Sequence, residues 1–256
     1  MKLFSRKFGD HSQSLVILHG VFGSSDNWQT IAKRLSDNYS VYTLDARNHG
    51  QSPHDNALNF DGMAEDLIEF IDDNALLNPI LIGHSMGGKT VMAFADKYPD
   101  EAKNMVVIDI GPKNYPIHHR QIIDALLSIN FTILKTRKDV EMELGKTIPD
   151  FGTRQFLMKS LYWKNDTELD WRFNVQAIKD NINEIGIGQL HNHPYLKPTL
   201  FIKGDKSNYI LEEDWDDILK LFPHAKLCTV KNAGHWVHAD NPEGFMECLN
   251  DFLSKQ

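Results

Sequence analysis

The stretch Pro79-Ile80-Leu81-Ile82-Gly83-His84-Ser85-Met86-Gly87-Gly88 decides how the rest of the chain is read. Ile80 to Gly83 is a short apolar run of the kind that forms a strand buried on both faces. It runs straight into Gly83-His84-Ser85-Met86-Gly87, and a helix is predicted from Lys89 to Tyr98. Strand, G-x-S-x-G and helix in that order describe a turn that lifts a serine hydroxyl clear of a sheet. Such a turn strains the serine backbone and needs small residues two before and two after it. The helix behind it points free N–H groups and a positive dipole end at the same spot. G-x-S-x-G alone arises by chance in long chains. The apolar run before it, the extra Gly88 and the helix after it give the pattern weight here.

Working outward, the same alternation repeats. Leu15 to Leu18 reads as a buried strand ending in His19-Gly20-Val21-Phe22-Gly23-Ser24. Trp28, Ile31 and Leu35 follow at helical spacing, with Asp26 or Asn27 available as a cap. Val41 to Leu44 is a second buried strand, and Phe60, Met63, Leu67 and Phe70 mark the next helix. After the Ser85 strand and its helix comes the strand Met105 to Ile110. This order implies an α/β fold, with a mostly parallel central sheet and helices on both faces.

The alternation stops after Asp109. From Pro112 to about Tyr195 the pattern is helical: Ile122, Ile123, Leu126 and Leu127; then Val140 and Leu144; then Phe156, Leu157 and Leu161; then Val175, Ile178, Ile182 and Ile185. Residues 113–195 are therefore expected to form an all-helical lid, with 1–112 and 196–256 as the core. Strand logic resumes at Thr199 to Ile202 and again at Lys226 to Val230. The last helix starts at Asn241 and Pro242 and buries Phe245, Leu249 and Phe252. Ligands of parallel sheets bind beyond the carboxyl ends of the strands, where Ser85, Asp109 and His235 all fall. An insertion leaving after Asp109 would roof that site with an apolar underside.

The composition narrows the classes of function. The 256 residues carry 27 basic and 35 acidic side chains, a net charge of −8, which argues against general nucleic-acid binding. No apolar run is long enough to span a membrane, and the N-terminus lacks the apolar region of a secretory signal. Cys228 and Cys248 show no metal spacing and are expected as reduced thiols. His191-Asn192-His193 is a weak metal pair without a third ligand; no metal and no organic cofactor is expected.

A serine hydroxyl needs a base in hydrogen-bond reach, and the base needs an orienting acid. Among 12 histidines, His235 is the candidate base, because it sits in a Gly-rich loop between the last strand and last helix. His84 is expected to pack or bond to backbone, His19 to pin its own loop, and His238 to be a surface or packing residue. The acid commonly follows the strand after the lid, about three residues past a glycine. That place, in Gly204-Asp205-Lys206-Ser207, holds Ser207, and Asp205 comes two residues early. Asp109 ends a buried apolar strand, where a carboxylate is costly unless partnered. We therefore expect Asp109 as the acid, Ser207 as its helper and Asp205 as the alternative. Two N–H donors must face the developing negative charge. Met86 supplies one and Val21 the other, with Phe22 in reserve.

The segments HGVFGS (19–24), DARNHGQS (45–52), GHSMGGK (83–89), VIDI (107–110), WRFN (171–174), GDKSNYI (204–210) and AGHWVHAD (233–240) together resemble the bacterial YbfF-type esterases of the α/β-hydrolase superfamily. Their animal relatives include the abhydrolase-domain-11 proteins. The resemblance covers nearly the whole chain. It implies a cytoplasmic serine hydrolase of carboxylic esters, with acyl-CoA thioesters as further substrates. It also implies an acid taken from the strand before the lid and a serine where related enzymes carry aspartate, matching Asp109 and Ser207. Asp205 departs from the pattern, which more often has glycine there. A carbon–carbon bond hydrolase with the same triad, or a ligand-binding receptor that kept it, are the rival readings. A carboxylate-nucleophile enzyme on this fold is disfavoured by Ser85.

Overall fold

The computed structural model describes residues 1–117, 119–188 and 193–255. Nine strands run in chain order: β1 Ser5–Phe8, β2 Ser14–Leu18, β3 Ser40–Leu44, β4 Ile80–His84, β5 Asn104–Ile108, β6 Leu161–Asn165, β7 Glu168–Trp171, β8 Thr199–Gly204 and β9 Ala225–Val230. Seven of them form one sheet in the order β1-β3-β2-β4-β5-β8-β9. Within this sheet, among the described residues, only the β1–β3 pairing is antiparallel. The fold is α/β with a mostly parallel sheet, as the alternation predicts, and it is the α/β hydrolase fold that the resemblance implies.

The apolar runs become central strands because both faces of the sheet are covered. Leu15 and Ile17 of β2 point into one apolar layer, together with Ile31, Leu35, Phe245 and Leu249 of two helices. Val16 and Leu18 point the opposite way, into a layer with Met63, Leu67 and Phe94. The alternation repeats in β4 and β5, where Ile82 and Ile108 face the first layer and Leu81 and Val107 the second. A strand buried on both sides has no polar face, so it reads as an unbroken apolar run. β1, with the sequence Ser-Arg-Lys-Phe, is a half-exposed edge strand that carries no such signal.

Residues between β5 and β8 differ from the expected all-helical lid in two respects. Three helices, Arg120–Ser128, Arg137–Gly145 and Phe151–Met158, are followed by the antiparallel hairpin β6–β7. Leu161 therefore starts a strand and does not close the third helix. The alternation of Leu161, Leu169 and Trp171 buries one side of the hairpin, and Asn165 turns it by accepting the Thr167 N–H at 3.0 Å. The fourth expected helix is two short ones, Val175–Asp180 and Ile182–Gly186. They break at Asn181, whose side-chain amide donates to the carbonyls of Ala177 and Asn56.

The segment between β5 and β8 is tied to the rest of the fold at several points. Ile123, Leu126, Val140, Leu157 and Ile178 join the same apolar cluster as Met63 and Phe94. The Asn174 N–H donates to Asn48 O at 2.8 Å, and Ser160 Oγ donates to Phe22 O at 3.3 Å. The cysteines correct a second expectation: Cys228 on β9 and Cys248 on the helix Pro242–Leu253 form a disulfide. They stand twenty residues apart in sequence, and a parallel strand followed by its return helix brings them together. Asn241 caps that helix as expected, accepting the Gly244 N–H at 3.0 Å.

Candidate active site

Strained backbone recurs at the carboxyl ends of the central strands. Phe22 after β2, Ser85 after β4 and Asp109 after β5 all have left-handed φ, at 62°, 53° and 50°. For non-glycine residues this conformation is costly and persists only where surrounding structure enforces it. At Ser85 the enforcement is visible. A Cβ on Gly83 would lie 2.1 Å from Gly87 O, and one on Gly87 would lie 2.5 Å from Leu18 O. Both positions must be glycine for strand and helix to meet at this turn. The Ser85 N–H donates to Ile108 O at 3.0 Å, which fixes the turn to the neighbouring strand.

Asp109 is fully buried and its carboxylate is well partnered. Oδ2 lies 2.8 Å from His235 Nδ1 and also accepts from the Ser207 hydroxyl, while Oδ1 accepts the Gly204 N–H at 3.2 Å. The cost of burying a carboxylate at the end of an apolar strand is offset by these three donors. Asp205 points elsewhere: it is exposed and its Oδ1 accepts the Ala233 N–H at 3.2 Å. Of the two acid candidates, Asp109 is the one joined to His235 among the described residues.

His235 is held on three sides. Asp109 takes Nδ1, His84 Nε2 donates to the His235 carbonyl at 2.8 Å, and the Tyr209 ring stacks on the imidazole with centroids 4.0 Å apart. Its other nitrogen, Nε2, is the one left for chemistry. Ser85 and His235 line the same cavity, of about 470 Å³. No hydrogen bond joins them among the described residues. Such bonds are commonly loose without substrate and tighten when it binds.

The HGVF turn rests on two buried histidines. His19 Nδ1 donates to Gly20 O at 2.8 Å, and its Nε2 accepts the Ala46 N–H at 3.0 Å. His49 Nδ1 bonds Arg47 O at 2.9 Å, and its Nε2 accepts the Phe22 N–H at 3.2 Å. Each ring uses one nitrogen as donor and one as acceptor, so each is neutral. Burial agrees: it pushes the pKa of His19 down to about 4 and that of His49 to about 3. The Phe22 amide is thereby occupied. The Val21 and Met86 amides have no acceptor among the described residues.

His84 and His238 are packing residues, as expected of the first and partly of the second. His238 is buried and stacks on Trp28 with centroids 3.9 Å apart. Burial pushes His238 down to about 3 and His84 well below its ordinary value. His191 lies outside the described residues, and among those described no group of three ligands suits a metal ion.

Sequence reasoning missed several contributors. Tyr209 and His49 act through tertiary contacts that no local pattern marks. Lys89 reads as the first residue of a helix, yet it is fully buried. Its ammonium bonds Lys113 O at 2.8 Å and Ile187 O, and lies 5.0 Å from the centre of the Tyr115 ring. A lysine four residues after the nucleophile position, in an otherwise apolar helix, was the available signal.

Sequence comparison agrees with this architecture. The family profile described as alpha/beta hydrolase fold matches residues 13–242, and the chain belongs to that family. Within it, the chain is an esterase/lipase-type enzyme, a carboxylic ester hydrolase. It is 35% identical to the esterase YbfF of Escherichia coli over 246 residues, covering 95% of this chain and 94% of that protein. It is 35% identical to the sn-1-specific diacylglycerol lipase ABHD11 of Mus musculus, covering 94% of this chain and 81% of that one. Among solved structures, a marine microorganism esterase superposes with a TM-score of 0.96 at 43% identity, covering 98% of this chain and 99% of that one. No helix among the described residues is long and apolar enough to cross a membrane.

Proposed function

We propose that the chain hydrolyses carboxylic esters through a Ser85–His235–Asp109 triad and an acyl-enzyme. His235 takes the Ser85 proton as the hydroxyl attacks the ester carbonyl, and the Val21 and Met86 amides receive the oxyanion. His235 then protonates the departing alkoxide, and in the second half it activates water to release the acid. Asp109 holds the imidazole in the tautomer with Nδ1–H, and Ser207 braces Asp109. Residues 113–195 act as the lid that walls the cavity, to which Phe156 and Leu157 contribute. The reading is carried by one observation: the His235 Nδ1–Asp109 Oδ2 bond of 2.8 Å beside a strained Ser85 in the same cavity.

The same acyl-enzyme forms from oxygen esters and from acyl-CoA thioesters, so both belong in the first substrate panel. Diacylglycerol belongs there too, as the substrate in the mouse relative's name. The cytoplasmic location implied by the resemblance is tested by the thiol state of Cys228 and Cys248, since disulfides persist mainly in oxidising compartments. The deciding experiment is hydrolysis of p-nitrophenyl acetate by the wild type and by Ser85→Ala. We expect a loss of several orders of magnitude with an unchanged circular-dichroism spectrum. Retained turnover in the variant would sink the assignment. Turnover of ring-cleavage diketones and of no ester would move the reading to a carbon–carbon bond hydrolase.

A further inference from the structure

Ser85 lies between two cavities of very different size. The first, of about 470 Å³, is open and includes His235, Trp236 and Phe156 in its wall. The second, of about 30 Å³, has Met86, Ile110, Ile117, Ile182 and Ile185 in its wall together with the polar Lys89, Tyr115, His119 and Tyr209, and Ser85 lines it as well. Among the described residues, His235 lines the first and not the second.

The chemistry assigns the two. When the tetrahedral intermediate collapses, its electron pair expels the alkoxide, and the proton that neutralises that oxygen comes from His235. The leaving group therefore lies on the His235 side, in the large cavity. The oxyanion takes the direction of the Val21 and Met86 amides. The acyl chain is left with the remaining side, toward the small cavity beside Met86. We propose that this small cavity is the acyl pocket, and that the enzyme selects short, unbranched acyl groups, acetyl to propionyl, carried on large alcohols. This rests on the triad reading above.

Magnitudes set the limit. A water-sized probe occupies about 10–15 Å³, so the small cavity holds roughly two heavy atoms beyond the carbonyl carbon. Ile110, Ile117, Ile182 and Ile185 make its apolar side, against which a methyl or ethyl group packs, and its size leaves no room for a longer chain. Lys89 also lines it, with its ammonium bonded to the Lys113 and Ile187 carbonyls. The large cavity places no comparable limit on the alcohol.

The test is kcat/KM for p-nitrophenyl acetate, propionate, butyrate, hexanoate and octanoate, beside a series of acetates of increasingly bulky alcohols. We expect a fall of at least about tenfold between propionate and hexanoate, the scale of discrimination from methylenes that do not fit a pocket. The acetate series should vary little. Ile182→Ala and Ile117→Ala should each raise the hexanoate-to-acetate ratio by about tenfold. The wild-type series decides the question even if neither variant folds. Equal rates on acetate and octanoate, or rejection of bulky alcohols in place of long acyl chains, would overturn the proposal while Ser85→Ala stayed inactive. Activity surviving in Ser85→Ala would instead remove the triad reading.

Discussion

His235 Nδ1 sits 2.8 Å from Asp109 Oδ2, across 126 residues of sequence and the whole of the lid. In the proposed triad the acid therefore follows β5, and the loop after β8 contributes the Ser207 hydroxyl to the same oxygen. Three substitutions separate these roles. Asp109→Asn leaves the imidazole free to adopt the wrong tautomer, and kcat should fall by about 10⁴. Ser207→Ala removes a bond to the acid and no charge, and should cost about tenfold. Asp205→Asn weakens one exposed bond to the Ala233 amide and should change kcat less than about threefold. Kinetics of the three purified variants on one short-chain ester check the order. A large loss in Asp205→Asn with near-normal Asp109→Asn would move the acid to the loop after β8.

Acid should unfold the protein earlier than its carboxylates alone require. His19, His49, His84 and His238 are buried, and burial holds His19 at about 4, His49 and His238 at about 3, and His84 well below its ordinary value. The unfolded chain binds protons on these rings below about pH 6.5. Between that pH and about 4 the unfolded state holds more protons, so stability falls as pH falls. Each ring contributes up to about 1.4 kcal/mol per pH unit over this window, and nothing above it. Urea midpoints from pH 8 to pH 4.5 should be flat at first and then drop steeply below about pH 6.5. A flat profile down to pH 5 would contradict the neutral, doubly bonded state of His19 and His49. Protonation there would also withdraw the acceptor from the Phe22 amide and release the turn that carries Val21.

The Cys228–Cys248 disulfide closes a loop across the edge strand β9 and the helix that covers it. Loop-closure entropy for about twenty residues is worth roughly 3 kcal/mol. For a chain of this size that corresponds to a Tm difference of about 6–12 °C. Cys248→Ser, or reductant added to the wild type, should lower Tm by that amount while leaving ester turnover at room temperature intact. Two titratable thiols in the untreated protein, with no response of Tm to reductant, would show the pair to be reduced.

What was legible in the sequence follows from burial. β2, β4 and β5 are covered on both faces, so their apolar runs announce them without ambiguity. Asp109 was legible for the same reason, as one carboxylate closing such a run. β1 was not, because an antiparallel edge strand of Ser-Arg-Lys-Phe has neither an apolar run nor a strict alternation. The β6–β7 hairpin hid because Leu161 continues the helical spacing of Phe156 and Leu157 before the chain turns at Asn165. The stacking of Tyr209 on His235 joins segments that only the folded sheet brings together. The cysteine pairing was illegible because spacing in sequence does not report distance between Cα atoms.

Two opposed energies meet at Lys89. Its ammonium is buried with no carboxylate partner among the described residues, and desolvation pulls its pKa from the usual lysine range down to about 8. That shift corresponds to a cost on the order of 3 kcal/mol while it stays charged. In return it bonds Lys113 O, where the chain leaves the core for the lid, and Ile187 O, on the chain returning from the last lid helix. Lys89→Met removes the buried charge and keeps the length of the side chain. It also orphans two carbonyls, at about 1–3 kcal/mol each. The two effects nearly cancel, so global Tm should move by only a few degrees. The local consequence does not cancel, because Lys89 anchors both connecting segments to the helix after Ser85. Without it they keep their mutual bonds, Tyr115 N–H to Gly186 O at 2.8 Å and Gly188 N–H to Asn114 Oδ1 at 2.7 Å, but lose that anchor. Amide hydrogen exchange around Lys113–Tyr115 and Gly186–Ile187 should therefore quicken by at least about tenfold in Lys89→Met, and KM should rise more than kcat falls. Exchange at these amides unchanged from wild type, with KM also unchanged, would show that Lys89 only fills space.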